Sequence, residues 1–322
     1  MRFRRSLVVG AAILALTMTV AACGSSGDDD DSTSSGAGTS TTAASTANPG
    51  AGKSVTIASA NFSENVILAN MYAKALEAKG YKVTDKFNLG NRELIYTALD
   101  KGQVDIVPEY IGTALEFLNK GKGEATGDPK ATADKLREEF KAKGVSVLEP
   151  SPAADQNSFA VTKATADKYS LKTMSDLAKV SKDLTLGGPP ECPQRPFCIP
   201  GMKTTYGIEF KDFKSLDAGG PKTKGALEAG DIDVGLVFSS DGAVTAKNFV
   251  VLEDDKGLQT ADNIVAIVRT DKLDDTITSV LNDIDAQLTT KDLQDLNKRA
   301  DIDKEDPDAL AEEWLKDHGF LK

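Results

Sequence analysis

ALDKGQVDIVPEY (98–110) and ALEAGDIDVGLVFS (226–239) share one frame, Ala-Leu-acid-x-Gly-x-aliphatic-Asp-aliphatic. In each, a helix runs into Ala-Leu and closes at Gly102 or Gly230. A left-handed residue commonly ends a helix, and glycine takes that conformation without a Cβ penalty. An apolar strand follows directly, over 104–107 in the first and 232–238 in the second. Each strand then breaks into ligand-capable residues: Pro108, Glu109, Tyr110 and Thr113 in one, Ser239, Ser240 and Asp241 in the other. Two copies of one helix–strand unit predict two similar α/β lobes. Ligands bind outside the C-terminal ends of parallel strands, so one ligand held between two strand ends is expected.

The chain start has a different character. Arg2, Arg4 and Arg5 precede an apolar run over 7–20, shorter than the roughly 20 residues of a membrane span and typical of a secretory signal. It ends in Val20-Ala21-Ala22-Cys23, which resembles the bacterial lipobox. That implies cleavage after residue 22 and lipidation of Cys23. Residues 24–52 are mostly Ser, Thr, Gly, Ala and Asp, with no aromatic and almost nothing aliphatic beyond alanine. Such a stretch cannot repay its ordering entropy and reads as a tether with a reach of about 30 Å. The expected division is 1–22 signal peptide, 23–52 lipidated cysteine and tether, then a folded region outside the cell membrane.

Composition narrows the function. The formal charge of −11 becomes −14 without Arg2, Arg4 and Arg5, which argues against a nucleic-acid partner. The single histidine, His318, sits near the end of a C-terminal helix. A Ser-His-Asp or Cys-His nucleophile would have to use it, and His-rich metal sites are excluded. No metal or cofactor is expected. Cys192 and Cys198 remain after Cys23, and in an exported chain they point to a disulfide. The small loop adds only about 2 kcal/mol of chain entropy, but it would hold Arg195 in place. The competing metal or redox pair lacks C-x-x-C spacing and a nearby histidine.

In the first lobe, 55–58 reads as a buried strand that turns through 59–65 into a helix ending at Gly80. Asn61 or Ser63 would cap it, and Asn61 with Glu64 fits a capping box. Asn61 and Asn65 are equally placed for a ligand anion at the helix N-terminus. Arg92 starts the next helix, where the macrodipole disfavours a cation. It needs an anion, either Glu93, Glu109 or a ligand. Pro108 fits a strand end. In the second lobe, Gly187-Gly188 lacks a phosphate-loop frame and reads as a turn. The strand 263–268 carries the chain back, and three amphipathic helices follow, with Trp314 in the core.

At this point SANFSEN (59–65), LGNRE (89–93), VDIVPEYIGT (104–113) and DQNSFAV (155–161) carry a resemblance. Together they resemble the substrate-binding lipoproteins of osmoprotectant ABC importers, which take glycine betaine, choline, carnitine and related quaternary amines. The resemblance runs through 206–207, 240–242 and 252–257 and covers essentially all of 53–322. It implies an α/β, two-lobed, type II periplasmic-binding-protein-like fold, each lobe a mixed sheet flanked by helices. Lobe one would be 53–156 plus 262–322 and lobe two 157–261, closing about crossings at 150–159 and 259–263. It implies an aromatic cage for a trimethylammonium group. Tyr110 and Phe159 match cage aromatics, Phe238 lies near a third, Thr113 matches a polar anchor and Arg195 a carboxylate-binding arginine. Ala60 departs from a lysine found in several relatives, and Arg92 is the substitute cation. Ser240 and Asp241 stand on the opposing wall. The expected partners are the small ligand, a membrane permease and the membrane itself through the lipid, with the protein monomeric and not an enzyme. Two rival readings are a ligand-sensing lipoprotein without a transport role and an exported hydrolase using Glu109 and Asp241.

Overall fold

The computed structural model describes residues 48–322. The signal peptide, Cys23 and all but the end of the tether lie outside the described residues. Ten strands form two five-stranded sheets. The first four are β1 (Ser54–Ala60), β2 (Lys82–Gly90), β3 (Ile106–Tyr110) and β4 (Val145–Val147). The next five are β5 (Asn157–Thr162), β6 (Thr185–Gly188), β7 (Asp212–Ser215), β8 (Val234–Phe238) and β9 (Phe249–Leu252). Strand β10 (Ile264–Arg269) returns to the first sheet. The orders are β2-β1-β3-β10-β4 and β7-β6-β8-β5-β9. Strands β1, β2 and β3 are parallel, as are β6, β7 and β8, while β10 and β5 run antiparallel to their neighbours. Both sheets are therefore mixed, and the repeated units supply the equivalent strands β3 and β8.

Helices cover both faces of the first sheet. Ser63–Ala78 and the C-terminal helices Asp275–Gln287, Thr290–Asp301 and Pro307–Asp317 share one core with Trp314. Arg92–Asp100, Ile111–Leu118 and Pro129–Lys141 pack on the other. A strand covered on both faces reads as a continuous apolar run, and IVAIV of β10 is buried throughout. Gly102 and Gly230 do adopt positive φ, 65° and 77°.

Two local expectations are corrected. The helix Ser63–Ala78 has Phe62 at its N-cap with no side-chain cap: Asn61 falls one residue before the cap position, and Ser63, already the first helical residue, donates its hydroxyl to Asp301. Strand β3 does not break at Pro108 but runs through Glu109 to Tyr110, paired with β10. Beyond Ile106 it has left β1, so the missing N–H of Pro108 faces a side with no ladder. There the Asn65 amide donates to the Pro108 carbonyl (3.0 Å) and its oxygen accepts from the Ala60 N–H (2.7 Å). Asn65 thus bridges the gap where β1 and β3 diverge.

Two segments pass between the sheets, and they pair with each other. The Asp155 N–H donates to the Asp262 carbonyl (3.0 Å), Ile264 N–H to Ala153 (2.9 Å), and the Asn263 amide to Ser151 (2.8 Å). The cleft between the lobes opens beside this pair.

Candidate functional site

The ends of β1, β3 and β8 and the two crossings enclose two adjoining chambers. One, about 350 Å³, is lined by Asn61, Phe62, Asn65, Arg92, Glu109 and Tyr110 among others. The other, about 320 Å³, reaches Arg195, Phe197, Gln259 and the Cys192–Cys198 bridge. Thr113, Asp155, Phe238 and Asp262 line both. These volumes suit a small molecule. Residues from both lobes share each wall.

Four aromatic side chains face this space. Phe62, 44% exposed, lies 6.1 Å from the Tyr110 ring, centroid to centroid. Tyr110 is buried and its hydroxyl donates to Glu64 (2.7 Å). Phe238 projects from the end of β8, and Phe197 from the loop closed by the Cys192–Cys198 disulfide, whose Cα atoms are 5.3 Å apart. Gln259 reaches the Phe197 carbonyl (2.9 Å) and anchors that loop to the return crossing.

The polar side chains are already engaged with one another. Arg92 donates in bidentate fashion to Glu109 (2.8 Å each) and to the Thr113 hydroxyl (2.8 Å). A fork of this kind fixes both partners, and it is the compensating anion that the position of Arg92 required. Asp262 accepts from the Gly112 and Thr113 N–H groups (2.9 and 3.0 Å), capping the helix Ile111–Leu118 from the other crossing. Only glycine permits this approach, since a Cβ on Gly112 would lie 2.5 Å from the Ala261 carbonyl. Burial pushes the Asp262 carboxyl up to about 7, against the pull of the Thr113 N–H and Arg92. Asp155 is raised too, first by burial, although the Ser240 hydroxyl donates to it (2.6 Å). Glu64, behind Tyr110, is raised by burial and then by the neighbouring Asp155. Asn297 ties Glu64 to the Ser240 carbonyl and so joins the lobes.

Of the residues expected at the site, Asn61, Asn65, Arg92, Glu109, Tyr110, Thr113, Arg195 and Phe238 line the chambers. Arg195 sits at the mouth, 65% exposed and paired with Glu191 at 3.1 Å. Three do not. Phe159 is 2% exposed in the core of the second lobe, because it alternates inward along β5. Asp241 caps the helix Gly242–Ala246 and pairs with Lys224 (2.7 Å), outside both chambers. Ser240 touches the site only through Asp155. Phe62, Phe197, Asp155 and Asp262 are the additions. Phe62 and Phe197 are bulky apolar side chains in polar loops, and that mismatch is the signal in the sequence. Asp262 carries none, because its role depends on which crossing it faces.

Residues 53–317 match the family model of the substrate-binding domain of ABC-type glycine betaine transport systems. The chain belongs to this family. It is a substrate-binding protein of ABC transport, extracytoplasmic, and not an enzyme. The binding protein is 28% identical over 289 residues to the carnitine transport binding protein OpuCC of Listeria monocytogenes, covering 87% of this chain and 92% of that one. It is 24% identical to the glycine betaine-binding protein YehZ of Escherichia coli, covering 84% and 93%. Among solved structures, that of a glycine betaine/carnitine/choline ABC transporter protein superposes with a TM-score of 0.77 at 31% identity, over 83% of this chain and all of that one. The two-lobed type II fold is thereby shared.

Proposed function

We propose that the binding protein captures a small quaternary amine between its lobes and presents it to an ABC permease. The observation that carries this is the group of four aromatic rings, Phe62 and Tyr110 from one lobe, Phe197 and Phe238 from the other, around joined chambers. An ammonium against aromatic faces in a water-poor site gains about 2 kcal/mol or more per contact. The OpuCC and YehZ names, carnitine and glycine betaine, point to the same chemistry.

Lobe one spans 53–156 and 262–322, lobe two 157–261, and the paired crossings are the hinge on which the cleft closes. The protein acts as a monomer. Lipidated Cys23 holds it at the outer face of the membrane, and the tether keeps its local concentration near the permease high. Mass spectrometry of membrane-extracted protein, showing diacylglycerol on Cys23 as the new N-terminus, tests the anchor. Calorimetry with choline, glycine betaine, carnitine and ectoine tests the ligand class. At least one quaternary amine should bind at one site per chain, and heat from none of them would reject the class.

A further inference from the structure

We propose that Asp155 and Asp262 are the countercharges of the cleft and make it select a ligand of net positive charge over a zwitterion. This rests on the quaternary-amine reading of the same cleft and adds to it the charge of the ligand's other end.

Both aspartates stand where the two chambers join, with Phe238 beside them. Asp262 is only 5% exposed. Its Oδ1 accepts the Gly112 and Thr113 N–H groups, while its Oδ2 accepts no hydrogen bond among the described residues, and the residue lines both chambers. Asp155 is likewise half used: Oδ1 takes the Ser240 hydroxyl, and Oδ2 accepts no hydrogen bond among the described residues. The backbone bond between the two crossings holds the pair side by side. Among the described residues, neither carboxylate has a cation in salt-bridge contact. Two neighbouring buried carboxylates are costly unless a positive charge meets them.

The cations that line the cleft leave little for an anion. Arg92 gives its Nε and Nη2 to Glu109, and Nη2 also to Thr113, so its charge is already matched by a carboxylate. Arg195 is exposed and paired with Glu191. Ala60 supplies no charge at the end of β1. A ligand carboxylate would have to compete with Glu109 for the charge of Arg92 or face the two aspartates. A ligand whose second polar group is a hydroxyl meets neither obstacle and can donate to a free Oδ2. Choline is such a ligand, and glycine betaine is its carboxylate counterpart.

The test is titration of the whole protein with choline and with glycine betaine, followed by the same pair on Asp262→Asn and Asp155→Asn. Asparagine keeps the Oδ1 acceptor and so the helix cap, and thermal melting identifies any variant that fails to fold. Choline should bind at least tenfold more tightly than glycine betaine. Each substitution should weaken choline at least tenfold while glycine betaine binds no more weakly than before, collapsing the preference. Glycine betaine binding as tightly as choline, or equal losses for both ligands in both variants, overturns the inference while leaving the quaternary-amine reading intact. No binding of either ligand, nor of carnitine, overturns that reading and the inference with it.

Discussion

Phe159 and Phe238 lie on adjacent strands of one sheet, yet they do different work. Phe159 pairs across from Leu236 and turns into the core, while Phe238, two residues further along β8, emerges at the strand end. Matching positions to a family pattern placed both in the cage, and only burial separates them. Phe238→Ala should therefore weaken quaternary-amine binding by about 2 kcal/mol, roughly thirtyfold, with little change in melting temperature. Phe159→Ala should do the reverse, costing about 3–5 kcal/mol of stability while folded protein binds normally. Parallel calorimetry and thermal melts on both variants check the pair, and an affinity loss confined to Phe159→Ala would contradict it. Arg92 was legible as a cation in need of an anion, since helix position alone demands one. Which anion satisfied it was not, because Glu109 reaches it only through the tertiary placement of β3.

The repeated helix–strand units were readable because glycine stops and apolar strands are local properties. Strands β7 (DFKS) and β9 (FVVL) were not, being edge strands of four residues whose pairing depends on partners distant in sequence. The contact of the helix Thr290–Asp301 with Gly242–Ala246 is equally non-local. It brings the last part of one lobe against the other, with Gln294 donating to the Ser239 carbonyl (2.8 Å) and Asn297 to that of Ser240 (2.9 Å). Gly242 makes this possible, since a Cβ there would run into the backbone of Lys298. Gly242→Ala should destabilise the protein by about 1–3 kcal/mol through overpacking, read as a lower denaturation midpoint. An unchanged midpoint would show that the helix is free to move aside.

At the scale of the molecule, the interior holds several carboxyls whose proton affinity is raised by burial. Asp262 and Asp285 are pushed up to about 7, Asp285 while accepting from Tyr72 (2.7 Å), and Glu64 is raised as well. In the unfolded chain such groups titrate near 4. Between those values the folded state binds more protons than the unfolded one, so stability falls as pH rises. The ligand-free protein should melt at a higher temperature near pH 5 than near pH 8, with Asp285→Asn flattening the difference. Calorimetric melts across that window check it, and a melting temperature that climbs steadily to pH 8 would reverse the sign.

One ligand held between two strand ends is the claim on which the rest depends, and a crystal structure of the protein grown with choline tests it most directly. The ammonium should lie within about 6 Å of ring centroids drawn from Phe62, Tyr110, Phe197 and Phe238, with residues of both lobes in contact. Choline bound to one lobe alone, or outside the chambers that Phe238 lines, would contradict it.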